Sequence, residues 1–217
     1  MRQLITAIFL LCFHALCLGN PIPFGLADKI EFERDAQFTW SNANSGFSLS
    51  AQGILSPAKK FPKTKLRLPI NNEEWIERLL VQKYDNDLML AFETFDGESG
   101  LGFICRLNWP QNTIRWCQTI PGFNLRPSSS KGAVYIGAIG FIGRLDPTNG
   151  KYLWQHDGLY QKDHTFNLLC LAKDFETTVV FNATSGITGT DAKQITIDRN
   201  TGNIIQTSVI GKVDVCH

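Results

Sequence analysis

This 217-residue chain has almost no excess of charge of either sign, with 21 Lys and Arg against 20 Asp and Glu. That balance excludes a nucleic-acid partner, because holding a phosphate backbone takes a marked positive surplus. Histidine is scarce, with four in all, and none is spaced from another as metal ligands on a helix are. No two cysteines are adjacent, and past the N-terminus no apolar run reaches the ~20 residues of a membrane-spanning helix. Helical periodicity is also rare. Only 72–80, with acids at its start and apolar pairs four apart, suits a short helix, and its continuation over 79–84 fits a strand equally well.

The N-terminus is the one strongly apolar segment. Residues 4–18 are interrupted only by Thr6 and His14, follow Arg2, and lead into small side chains at Cys17 and Gly19. A run this short with small residues at the −3 and −1 positions reads as a secretion signal cleaved after Gly19. Leu16 before Cys17 does not suit a lipoprotein box. The expected location is secreted or periplasmic, with no integral membrane span once residues 1–19 are removed. Their removal takes away Arg2 and no acid, leaving 20 basic against 20 acidic residues. The basic cluster Lys59, Lys60, Lys63, Lys65 and Arg67 is interleaved with Pro57 and Pro62 and reads as a solvated loop, a polyanion contact being the alternative.

Short β-rich runs at 88–95, 101–107 and 113–120 are divided by turn residues such as Asp96, Gly97, Ser99 and Gly100. A second set lies at 133–139, 141–145 and 152–155, and a third at 178–181, 194–197 and 204–210. The stretch 133–142 is apolar on both faces, which requires cover on both sides, as when sheets stack face to face.

The three sets share landmarks. Asn108, Asn112 and Trp116 correspond to Asp146, Gly150 and Trp154, and then to Asp198, Gly202 and Gln206, always four and eight residues after the first. Asp or Asn bonds its own backbone to start a turn, Gly or Asn accepts positive φ, and an aromatic residue then opens the next strand. The copies lie 38 and 52 residues apart, the longer gap being absorbed by an insertion at 184–190. That period is the mark of a four-stranded propeller blade.

On these residues the chain resembles the pyrroloquinoline-quinone-type β-propellers, whose blades carry an Asp, turn, Thr-Gly, strand, Trp docking motif. Asp146 to Trp154 matches it with Asn149 before the glycine; Asp198 to Gly202 matches its front half; Asn108 to Trp116 keeps the spacing with Asn at both turn positions. The resemblance implies an all-β fold, a short or partial propeller of about four blades. The blades would fall at 20–70 (irregular or first blade), 71–124, 125–163 and 164–217. Relatives usually have six to eight blades. The cofactor enzymes also use a vicinal cysteine pair, which is absent here, so no cofactor is expected and the resemblance argues against that activity.

Four cysteines follow the signal, an even number in an oxidising compartment, with three possible connectivities. A turn centred on 110–112 sets Cys105 opposite Cys117 on paired strands, within disulfide reach. By elimination Cys170 pairs with Cys216. Buried free thiols are the alternative.

Other chemistry is sparse. The segment at 97–101 lacks the second glycine of a nucleophile elbow, and Asp85, Asn86 and Asp87 read as a tight turn rather than a calcium loop. His156 and Asp157 with Asp163 and His164 are the weak metal candidates, and Asn182 opens a glycosylation sequon. Trp109, Trp116 and Trp154 suit packing between blades, whereas Trp40 and Trp75 lie outside the repeat and are freer to face a ligand. The expectation is a non-catalytic protein-interaction module whose partner is another protein or a second copy completing the propeller. The alternative is a carbohydrate-binding or quinoprotein-like enzyme using the central mouth.

Overall fold

The computed structural model describes residues 20–30, 33–42, 45–57, 65–109, 111–159, 167–185, 192–211 and 216. Two short strands, β1 (Ile22–Pro23) and β2 (Gly25–Leu26), precede four antiparallel sheets. Sheet I holds β3 (Asp28–Ile30), β4 (Gln37–Asn42), β5 (Ser45–Ser50), β6 (Ile54–Pro57) and β7 (Leu66–Arg67). Sheet II holds β8 (Trp75–Tyr84), β9 (Asp87–Phe95), β10 (Gly102–Asn108) and β11 (Thr113–Ile120). Sheet III holds β12 (Arg126–Ser130), β13 (Ala133–Ala138), β14 (Phe141–Leu145) and β15 (Tyr152–His156). Sheet IV holds β16 (Asn167–Asp174), β17 (Thr178–Ser185), β18 (Ala192–Asp198) and β19 (Ile204–Gly211).

Each sheet is a meander in chain order, and the sheets stack face to face as I, II, III and IV with one buried cluster between each consecutive pair. This is a β-propeller of four blades. Among the described residues no buried cluster joins sheet IV back to sheet I.

Side-chain patterning separates the middle blades from the ends. In β9, Leu88, Leu90 and Phe92 pack toward sheet I while Met89 and Ala91 pack toward sheet III. In β13, Val134, Ile136 and Ala138 pack toward sheet II while Ala133 and Tyr135 pack toward sheet IV. Each end sheet turns one face into a buried cluster, and on the other face of sheet IV Val180 and Asn182 are buried as well. Phe38, Phe47, Leu49 and Leu55 of sheet I face inward, and the paired positions Thr39, Ser48, Ser50 and Ser56 form its other face. On sheet IV, Val179, Phe181, Ile195 and Ile197 face sheet III, and Asn182, Gln194, Thr196, Gln206 and Ser208 lie on the far side. One-sided alternation is how an antiparallel sheet meets water.

The repeat landmarks form the contacts between blades. The Trp116 indole donates to the Pro147 carbonyl at 3.0 Å, and the Trp154 indole donates to Arg199 at 2.9 Å. Both carbonyls sit in the first turn residue after the landmark aspartate of the next blade. The strand partners Arg106 and Arg144 donate to the same two carbonyls. Asp146 accepts from Thr148 and Asn149, and Asp198 from Asn200 and Thr201, which holds each turn shut. At the first landmark Asn112 has φ 51° and its N–H reaches the Trp109 carbonyl, while Asn108 donates to Gln111. Gln206 pairs with Thr196 on the face turned away from sheet III and is exposed.

The disulfides are Cys105–Cys117, across β10 and β11, and Cys170–Cys216, which ties the C-terminal end to β16.

One expectation is corrected. Residues 72–80 form no helix: Trp75–Tyr84 is a strand paired with β9. A bulge between Ile76 and Arg78 adds one residue, so Ile76 and Leu79, three apart, reach the same cluster. The helix-like spacing is the trace of that bulge. The two tryptophans outside the repeat differ: Trp75 lines a second cavity beneath Arg34, and Trp40 is half-buried. Trp75 is buried edge-on to Phe95, and Trp40 stacks on Phe47, which packs in turn against Trp109.

Candidate functional site

The first strands of sheets II, III and IV line the inner side of the stack, and the N-terminal segment lies across them. Ile22 and Pro23 pair with Ser129 and Ser128 on β12, then Gly25 and Leu26 pair with Val81 and Leu80 on β8. Between them Phe24 donates its N–H to Pro127 at 3.1 Å and buries its ring with Leu80, Leu125 and Ile136. One extended segment thus caps two inner sheet edges in succession, satisfying edge groups that would otherwise need water.

Beside this segment lies a cavity of about 650 Å³. Its apolar wall includes Pro23, Phe24, Leu80, Leu125 and Leu171, and its charged side chains are Arg78 and Arg126. No Asp, Glu or His is among the described lining residues. Both guanidinium groups converge on one acceptor: Arg78 Nη1 and Arg126 Nη1 donate to the Leu125 carbonyl at 3.3 and 3.1 Å. Arg78 also pairs with Glu93 at 3.2 Å, and Glu93 accepts from the Leu125 N–H at 2.7 Å. Arg126 Nε donates to the Cys216 carbonyl at 3.3 Å. Burial, and after it the like charge of Arg78, lowers the Arg126 pKa, with Glu93 opposing. Two cations and one carboxylate leave one positive charge in excess.

The outer rim offers a different feature. β19 is the last strand of sheet IV, eight residues long without Lys, Arg, Asp, Glu or Pro, and Ile205 and Val209 are 58% and 69% exposed. Among the described residues this edge has no further strand partner, and it lacks the charges and prolines that usually block strand addition.

The other sequence candidates fall elsewhere. The His156 ring lies 2.6 Å from the Gly202 carbonyl, while Asp163 and His164 are outside the described residues. Asp87 is buried in an ion-pair cluster with Arg106 and Arg115 at 2.6 and 2.7 Å, next to the turn at Asp85 and Asn86. Asn182 is buried on β17, its side-chain oxygen accepting from Gln194, so the sequon is closed to a glycan in the folded chain. In the basic cluster Lys65 and Arg67 are exposed, and Lys59, Lys60 and Lys63 are outside the described residues. Sequence reasoning missed Arg78 and Arg126. Arg78 stands within an apolar run and Arg126 before Pro127 and three serines, but 48 positions separate them and nothing local joins them.

No family model matches the chain, and no curated protein matches it. Among solved structures it is similar to a europium-containing methanol dehydrogenase at 16% identity and a TM-score of 0.44, over 60% of this chain and 24% of that one. It is also similar to an exo-β-1,3-galactanase from Phanerochaete chrysosporium, solved with β-1,3-galactotriose, at 12% identity and a TM-score of 0.40. That match covers 85% of this chain and 49% of the enzyme, so this chain spans from a quarter to about half the length of these structures. Among the described residues no helix is long and apolar enough to cross a membrane.

Proposed function

We propose that the protein is a non-catalytic, secreted or periplasmic scaffold that binds a protein partner by adding a strand to the outer edge of sheet IV. The observation that carries this reading is β19, an uncharged edge with no further strand partner among the described residues and with Ile205 and Val209 exposed. Strand addition takes its affinity from main-chain hydrogen bonds and its specificity from alternate side chains. The partner is expected to present an extended, β-branched segment that covers these residues. Ring completion by burial of the end faces is the less favoured geometry, since those faces carry Ser, Thr, Asn and Gln. The two disulfides support an oxidising location. An enzyme at the central mouth is disfavoured by the missing acid and base among the described lining of the cavity.

The test is cross-linking from positions flanking β19, read by mass spectrometry, with the Ile205→Lys, Val209→Lys double variant as control. One partner cross-linked through β19 in the parent, and lost in the variant with its melting curve unchanged, supports the reading. A concentration-dependent dimer through β19 in sedimentation makes the partner a second copy. Partner capture unchanged in the variant, or turnover of an alcohol or sugar by the purified chain, overturns it.

A further inference from the structure

The inner cavity has no part in edge binding, yet its construction is specific. A buried cation is costly unless compensated, and here two guanidinium groups are brought to one carbonyl oxygen with a single carboxylate between them. Arginine carries five N–H donors in a planar fork. Among the described residues, Arg78 uses Nη1 on Glu93 and Leu125, and Arg126 uses Nε and Nη1 on backbone carbonyls, leaving the Nη2 groups of both without a protein acceptor. Arg126 is half-buried and has no carboxylate within ion-pair distance among those residues. The rest of the lining includes the apolar side chains of Phe24, Leu80 and Leu171. Among the described residues the cavity thus sets two guanidinium groups against one carboxylate, beside an apolar surface.

We propose that this cavity binds a small amphipathic anion, an oxyanion head on an aliphatic body. The head, a carboxylate or a phosphate monoester, accepts from Arg126 and Arg78, and the body lies against Phe24, Leu80 and Leu171. The excess charge rules against a cation. A neutral sugar is disfavoured because the lining supplies few hydroxyl partners beyond Asn20 and Ser128. Phe24, held by its N–H to Pro127, fixes the floor before the ligand arrives, so little ordering is left to oppose binding.

The experiment is calorimetric titration of the purified chain with decanoate, decyl phosphate and decanol. At least one anion is expected to bind tenfold or more tightly than decanol, as charge-assisted hydrogen bonds in a partly buried site imply. The tighter of the two identifies the head group. Arg126→Gln is expected to remove the preference for the anion while leaving decanol affinity and the melting curve unchanged. A readout that needs no variant is the pair of Arg78 and Arg126 side-chain Nε–H signals in nitrogen-15 spectra, which should move with the anion and not with decanol. Equal binding of all three compounds, a full anion preference in Arg126→Gln, or arginine signals unmoved by either anion would overturn the proposal.

Discussion

Trp116 stands so close to Gly150 that a Cβ placed on the glycine falls 2.4 Å from the indole ring, and Gly150 itself has φ +76°. The next pair repeats the relationship, with a Cβ on Gly202 falling 2.5 Å from Trp154 and φ at +78°. Glycine is needed twice over, for the backbone region and for the room. Gly150→Ala is expected to cost about 3 kcal/mol in the parent, combining left-handed strain with the clash. In a Trp116→Ala background the cost should fall to about 1 kcal/mol, because only the strain remains. Denaturant unfolding of the four proteins in that cycle checks it; additive costs would show that the ring and the turn are not in contact.

Gln206 occupies the position that tryptophan fills in the two preceding blades, on a face where none of the described residues forms a further turn to receive an indole. Gln206→Trp is therefore expected to change stability by no more than about 0.5 kcal/mol, as for an ordinary surface site. A gain above about 1 kcal/mol at micromolar protein would mean that another blade lies against that face.

The two disulfides close loops of different length, with sequence separations of 12 and 46 residues. Loop-closure entropy assigns about 3 kcal/mol to Cys105–Cys117 and about 4 kcal/mol to Cys170–Cys216. Paired Cys→Ser variants compared in denaturant should keep that order. Loss of the second should also open the inner cavity, since Cys170 and Cys216 line it and Arg126 donates to the Cys216 carbonyl. Faster hydrogen exchange along β16 is the expected sign.

Acid should loosen the blade turns first. Hydrogen bonds from Thr148 and Asn149 hold the Asp146 carboxyl below its ordinary 3.8, and those from Thr201 and Asn200 do the same for Asp198. A lowered folded-state pKa gives stability that is complete above the unfolded value and lost as pH falls through the folded one. The melting temperature should therefore drop below pH 3.8 more steeply in the parent than in the Asp146→Asn, Asp198→Asn double variant. Parallel curves would show that these turns do not carry the acid response.

The strands of the three copies were legible because turn chemistry and apolar runs are local. Thr113–Ile120 and Phe141–Leu145 match the runs read from sequence at both ends. β12 and β16 were not legible. Arg126–Ser130 holds a proline and three serines, and is a strand because β13 and the N-terminal segment pair with its two edges. The helical reading of 72–80 failed for a related reason, since the bulge at Ile76 belongs to the pairing with β9 and not to the segment. The cavity was invisible because Arg78 and Arg126 meet on Leu125 only after two sheets have stacked.

What the sequence alone determined is the unit and its repetition: residues that must turn, residues that must pair, and in two of the three copies a tryptophan four positions beyond the turn. Those are short-range properties, set by φ preferences, side-chain bonds to the local backbone and alternation along a strand. Tertiary structure decided how the units use one another. It set which indole docks on which carbonyl, laid an N-terminal segment across two inner edges, and left two arginines facing a cavity with one acid between them. Such features arise from long-range packing of faces, and no local pattern of residues encodes them.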